Sequence, residues 1–305
     1  MTIIFEQILN GVQFGVMLFL LAAGLTLIFG IMNVINLAHG SLYMVGAYAA
    51  AFTADKTGSF LLAIPAGLLV TGIAGMLIEY MVVRRLYKRD HLDHVLATFA
   101  LILIFNQLAI MLFGRSPLFV AVPSFLKGSV PLMSGLDYPI YRIVIIIVGL
   151  MLAGGLYFLI NKTRLGMLIR AGATHRDMVR ALGVDIKWLY TLVFGLGAVL
   201  AGLAGLMAGP LLAVQPGMGE HILIMTFVVV VIGGVGSVRG AFAGAMIVGL
   251  VDTLTRAFAP ALLRGMMASG SEADALAAGL SSMSVYVLMA LVLIVRPKGL
   301  LPAHA

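Results

Sequence analysis

The residues of this chain with the means to do chemistry are few, and most stand in two polar interruptions of long apolar stretches. The first is Asn33-Val34-Ile35-Asn36-Leu37-Ala38-His39-Gly40. Its amides and imidazole can bond freed backbone groups or line a path for a polar solute. It contains no Lys or Arg, which a turn at an aqueous face usually carries. A tight turn between two helices is the alternative. Polar backbone at membrane depth is tolerated only when buried in protein or lining a cavity, and a broken, protein-lined segment is the expectation here. The second interruption is Gly233-Gly234-Val235-Gly236-Ser237-Val238-Arg239-Gly240. Its glycines superficially suit a phosphate loop, but that loop needs Lys followed by Ser or Thr, and no such pair is present. An interrupted helix or close helix packing is expected instead. His91 and His94, with Asp93 between them, have a spacing that can hold a metal, but they sit among basic residues and read as a solvated boundary. Glu79 and Asp252 fall near helix ends and are expected to snorkel or pair. No nucleophile–base pair and no metalloprotease helix motif is found, so catalysis is not expected.

The elements that must position these residues follow from composition. Of 305 residues, 62% are hydrophobic and 10% charged, with a mean hydropathy of +1.13. A soluble domain carries about 25% charged residues, so a chain with so few needs lipid against its surface. We read the fold as all-α, a polytopic transmembrane helix bundle. A span needs about 20 apolar residues. Windows free of Asp, Glu, Lys and Arg run over 7–54, long enough for two crossings, then 57–78, 95–114, 143–161, 188–219, 222–238, 240–251 and 275–295. With breaks inside the long windows, about eight spans with interrupted helices are expected, in one domain over 1–305. Glycine, at 36 residues, suits helices that approach closely. His39-Gly40-Ser41-Leu42 and Arg239-Gly240-Ala241-Phe242 both open a small-residue helix after a break; internal repetition and chance both account for this.

Charge gives orientation. The net charge is +7, but the basic residues stand in short blocks between apolar spans, as the positive-inside rule requires, and nucleic acid is not an expected partner. Arg84, Arg85, Lys88, Arg89, Lys162, Arg164, Arg170, Arg176, Arg180, Lys187, Arg296 and Lys298 fall on one side. Lys56, Arg115, Lys127, Arg142, Arg256 and Arg264 fall on the other, with Arg239 unassigned. Twelve against six puts the N-terminus outside and the C-terminus in the cytoplasm. No Lys or Arg precedes Lys56, so the first span is expected to be retained, not cleaved as a signal. The absence of cysteine excludes disulfides and thiolate metal sites. Two outside loops are expected, over 116–139, rich in proline, and over 260–274.

The longest cytoplasmic segment, 161–187, carries a short amphipathic helix. Met178, Ala181 and Leu182 share a face by i, i+3, i+4 spacing, Arg176, Asp177 and Arg180 fall elsewhere, and Gly183 is placed to end the helix as a left-handed cap. Such a helix suits a partner's groove or the membrane surface; the pattern alone does not choose.

At these residues the chain resembles the permease subunits of branched-chain amino acid ABC transporters, specifically the shorter of the paired permeases. The resemblance is carried by Gly24-Leu25-Thr26-Leu27-Ile28-Phe29-Gly30-Ile31-Met32-Asn33 followed by Asn36-Leu37-Ala38-His39-Gly40, by the segment from Arg170-Ala171 to Gly183, by 233–240, and by Arg296-Pro297-Lys298-Gly299-Leu300. It implies a bacterial inner-membrane importer with a homologous second permease, two cytoplasmic ATPase subunits and a periplasmic substrate-binding protein, no cofactor in this chain, and ATP hydrolysis on the partners. Under it, Arg170, Ala171, Asp177, Met178, Arg180, Ala181, Leu182 and Gly183 couple to the ATPases, and Asn33, Asn36, His39, Gly40, Gly233, Gly234 and Gly236 border the translocation path. Related permeases also carry urea, amides or aromatic acids, so the implied substrate is a branched-chain or related hydrophobic amino acid, with those as alternatives. A departure at Gly172-Ala173-Thr174-His175 bears on which ATPases dock. A self-sufficient secondary transporter would need acids at membrane depth, and almost none are present.

Overall fold

A computed structural model describes residues 2–87, 89–133, 135–174, 176–266 and 269–302, with the backbone alone for Arg176 and Asp177. The chain is a helix bundle. Among the described residues, seven helices are long and apolar enough to cross a membrane: α1 (Thr2–Met32), α3 (Phe60–Leu86), α4 (His91–Phe113), α5 (Ile140–Lys162), α8 (Ile186–Ala208), α10 (Val238–Arg264) and α11 (Gly270–Val295). Two others, α2 (His39–Thr57) and α9 (Met218–Gly233), are shorter or more polar. Two small helices, α6 (Arg164–Thr174) and α7 (Arg176–Ala181), fill the basic loop. The expected eight or so spans, an even number that cannot leave the termini on opposite sides, therefore resolve into seven full-length helices and two discontinuous ones. The window 7–54 divides at its polar break, and 188–219 divides at 209–217, so α9 starts at Met218.

The inner helices are α1 and α8, with 83% and 72% of their most apolar stretches buried, and α5 and α11 are outer ones, at 17% and 11%. Apolar side chains left outward on α5 and α11, such as Met151 and Ile294, are the lipid face. In a bilayer hydrophobicity does not separate inside from outside, so helix contact must come from packing. Glycine provides it. A Cβ at Gly249 would lie 2.6 Å from the Gly11 carbonyl oxygen, joining α10 to α1, and one at Gly24 would lie 2.6 Å from that of Gly197, joining α1 to α8. A Cβ at Gly46 would collide with the Gly202 backbone, joining α2 to α8.

Two departures from expectation have local causes. The proline-rich loop 116–139 is not wholly irregular: β1 (Ser129–Met133) pairs antiparallel with β2 (Leu136–Pro139), with Val130 opposite Tyr138. Pro131 is tolerated because a two-stranded ribbon is all edge. Tyr138 is buried and donates from its hydroxyl to Asn10 Oδ1 at 3.1 Å, holding the ribbon against the start of α1. The other correction concerns 260–274. Helix α10 continues through Pro260 to Arg264, and α11 opens at Gly270, capped by Ser269.

The acidic groups Glu79 and Asp252, expected to snorkel or pair, are paired within the bundle. Glu79 sits in a π-helical turn, Glu79–Val83, of α3 and is wholly buried. It accepts from Arg84 Nη2 at 2.9 Å, the Tyr87 hydroxyl at 2.6 Å and the Thr191 hydroxyl at 2.7 Å, tying α3 to α8. Asp252 accepts from Arg256 Nε at 2.8 Å.

The crossing of α2 and α8 gives a test. Gly46→Leu must force two backbones apart, and overpacking costs about 1–3 kcal/mol. We expect a clear fall in thermal stability of the purified chain by size-exclusion assay. Gly154→Leu on α5, where a Cβ meets nothing within 4 Å, should leave it unchanged.

Candidate functional site

The first break is built around a reversal of the chain inside the bundle. Helix α1 ends at Met32, and Asn33 has a φ of 54°, in the left-handed region where a non-glycine residue is uncommon but Asn is tolerated. The next residues are non-helical until His39 starts α2. His39 does not lie beside the end of α1. Its Nε2 is 3.1 Å from the carbonyl oxygen of Leu21, about 16 Å back along α1 at about 1.5 Å per residue. The chain thus turns back to mid-depth before α2 begins.

At that depth the N-terminus of α2 meets the N-terminus of α9. A Cβ at Gly40 would strike the Gly219 carbonyl, and one at Gly219 would strike that of Gly40. Two helix N-termini, each carrying a partial positive charge of roughly half a unit, converge in protein. Asn36 and His39 are wholly buried beside them. Both side-chain polar atoms of Asn36 and Nδ1 of His39 have no partner within the chain. The Leu37 N–H donates to Thr98 Oγ1 at 3.2 Å, so α4 also satisfies part of the freed backbone. The broken, protein-lined segment expected from the sequence is what the structure contains. Asn33 alone of the three polar residues is exposed.

The second break has another setting. Helix α9 ends at Gly233, and Gly234 and Gly236 take positive φ of 106° and 81°. Ser237 caps α10, accepting the Gly240 N–H at 3.0 Å. The tail beyond α11 closes the turn: the Leu300 N–H donates to the Ile232 carbonyl at 2.8 Å and Leu301 to Gly233 at 3.0 Å. Gly30 packs on Gly236, so this turn lies level with the end of α1, not at mid-depth. Gly233 and Gly234 are packed under the tail, while Asn33 and Gly236 line a cavity of about 850 Å³.

The basic loop forms a second feature. Gly166 of α6 lies against the Leu159 and Ile160 carbonyls, where no Cβ fits, and Arg170 donates to the Ile160 carbonyl. Ala171 is half-buried on α6. Val179 on α7 turns inward, while Met178 on it and Leu182 just past its end are 63% and 77% exposed; Arg180 and Ala181 are exposed as well. Gly183 ends the helix at φ 85°. Its N–H reaches the Arg180 carbonyl at 3.0 Å and that of Val184 reaches Val179 at 3.3 Å, the paired bonds of a left-handed helix cap. The side chain of Asp177 lies outside the described residues, as does His175. The sequence reading missed α6, whose basic residues mask its helical pattern, and it missed Gly219, whose role needs Gly40 opposite.

The ends of the bundle are chemically distinct. Arg84 bonds Thr191 at 2.6 Å, Tyr190 donates to Ile31 at 3.4 Å, and Gly234 meets the Lys298 carbonyl region. The basic end of α3, the basic loop and the C-terminal tail therefore share one end, which Arg239, lining the same cavity as Arg170, joins. The start of α1 lies at the other, beside Tyr138 and Arg142. Among the described residues no cluster of His, Asp and Glu could hold a metal; His94 instead bonds the Leu86 carbonyl at 2.7 Å.

Comparison with known proteins agrees with this architecture. Residues 7–295 match the family described as branched-chain amino acid transport system / permease component. The chain is 30% identical to the high-affinity branched-chain amino acid transport system permease protein BraD of Pseudomonas aeruginosa, over 97% of this chain and 95% of BraD. It is 27% identical to the permease protein LivH of Escherichia coli K12, over 97% and 94%. A solved structure of PsaBC from Streptococcus pneumoniae in complex with Fab shares the fold, with a TM-score of 0.51 at 14% identity over 95% of this chain and 91% of that one. By the match over 7–295 and the broken-helix bundle that underlies it, this chain belongs to the branched-chain amino acid transport permease family.

Proposed function

We propose that this permease is the membrane subunit of an inner-membrane ABC importer that carries branched-chain or related hydrophobic amino acids delivered by a periplasmic binding protein. The match to that permease family across nearly the whole chain carries the reading. Its assembly would contain a homologous second permease and two cytoplasmic ATPases, with the basic end of the bundle, and so the C-terminus, in the cytoplasm. The positive-inside asymmetry supports that orientation.

In this reading the loop 161–187 couples the bundle to the ATPases. Met178 and Leu182 are the apolar anchors, and Arg170 and Arg180 make bracing or rim contacts. Ala171, Asp177, Ala181 and Gly183 shape the segment. What supports it is two large apolar side chains held outward on a capped helix whose third, Val179, is buried. Asn33, Asn36, His39 and Gly40 brace or border the translocation path, with Gly233, Gly234 and Gly236 shaping the end of α9 that flanks it. A zwitterionic solute suits a break where two helix N-termini converge with one carboxylate, Glu220 in the first turn of α9, close by.

Asn36→Leu with His39→Leu keeps volume and removes the polar atoms at mid-depth. We expect the chain to insert and assemble while uptake into cells falls about tenfold, the effect of roughly 1.4 kcal/mol on a rate; unchanged uptake would remove these residues from the path. Met178→Asp with Leu182→Asp should release the ATPases, since a central anchor contributes about 2 kcal/mol or more. A pull-down that recovers the ATPases at wild-type levels would assign α7 to the membrane surface instead.

A further inference from the structure

We propose that the cavity between α1, α5, α6 and α10 binds the phosphate headgroup of an anionic lipid. It is about 850 Å³ in volume, and among the described residues no acidic side chain lines it. Arg170 and Arg239 both reach it, from α6 and α10. Neither takes part in an ion pair among the described residues. The Arg239 guanidinium lies 5.0 Å from the centre of the Tyr157 ring, and its Nη2 is 3.4 Å from the Tyr157 hydroxyl. Those contacts hold the group in place and leave most of its five donors free. Arg170 spends one donor on the Ile160 carbonyl.

Two further features point to an anion. Ser237 and the first turn of α10 form part of the wall, and the leading N–H groups of a helix lack intrahelical acceptors. Thr26 also lines the cavity. It is 1% exposed, and its hydroxyl has no partner in the chain, a costly state for a buried donor.

The surroundings favour a lipid over free phosphate. Tyr157, Ile160 and Asn161 of α5 line the cavity, and on the same helix Met151 and Phe158 are exposed by more than half. Acyl chains can lie along that ridge while the headgroup meets the arginines at the basic end. Basic pockets between transmembrane helices recognise acidic headgroups in this manner. Asn33 and Gly236, which the proposed function places at the border of the path, line the same cavity, so the headgroup would sit at the basic-end margin of that border.

Native mass spectrometry of the full chain in detergent tests it, with phosphatidylglycerol, phosphatidylcholine of matched chains, and inorganic phosphate as probes. We expect retained phosphatidylglycerol in preference to phosphatidylcholine. Arg239→Gln should weaken that binding about fivefold, the effect of one cation near a headgroup. Arg239→Lys, which keeps the charge, should preserve the preference, and Arg115→Gln at the opposite end should change nothing. Equal retention of the two lipids would overturn the proposal. Displacement of the lipid by millimolar inorganic phosphate would assign the site to the free ion and overturn it too. So would an Arg239→Gln chain that binds phosphatidylglycerol normally but fails to capture ATPase subunits, which would make the arginine a protein contact.

Discussion

The structure depends on one constraint: a peptide group that leaves its helix inside a bilayer must find a partner in protein. Each unsatisfied group costs several kcal/mol there. Between Met32 and His39 the chain gives up helical bonding and re-enters the bundle. It does so only because α4 supplies Thr98 for the Leu37 N–H, α1 supplies the Leu21 carbonyl for His39, and α9 lies close enough to cover the start of α2. The glycine crossings follow from this demand. Side chains at Gly24, Gly40 or Gly219 would hold the backbones too far apart for the break to be sealed.

The same constraint separates the two breaks. The one at 233–240 lies at a helix end, and ordinary devices suffice there: positive-φ glycines, a serine cap and a chain tail that donates to the last carbonyls of α9. The one at 33–38 lies deeper and leaves Asn36 and Nδ1 of His39 with hydrogen-bonding capacity unspent. In the proposed function this capacity faces the path of a polar solute, and it needs rigid neighbours to hold it. The buried Glu79 network serves that need by fixing α3 against α8 near the basic end.

Much of this was legible in the sequence. The charge-free windows located α4 and α5 to within a few residues, but they overran α1 and α8, whose ends are polar or glycine breaks without charge, and stopped short of α10, which carries Asp252 and Arg256 inside the helix. The break at Asn33 was legible because three polar residues without a basic one is an odd composition for an aqueous turn. Gly183 was legible as a cap because its αL backbone excludes most side chains. What was hidden depends on residues far apart. Gly219 has meaning only against Gly40, and the register that brings His39 to Leu21 is a tertiary fact. The ribbon over 129–139 was obscured by prolines, and the helix over Arg164–Thr174 by its many charges and glycines. The depth of the second break was obscured because glycines look alike at a helix end and at mid-membrane.

The central claim is that the break after α1 is sealed in protein at mid-depth. The chain has no cysteine, so single cysteines at Asn33, Asn36 and His39 can be labelled with a membrane-impermeant maleimide in vesicles of known sidedness, without ATP. The account predicts that Asn33→Cys is labelled from the basic end, while Asn36→Cys and His39→Cys react only after denaturation. Labelling of Asn36→Cys as fast as Asn33→Cys would contradict it, because the segment would then be an open surface turn.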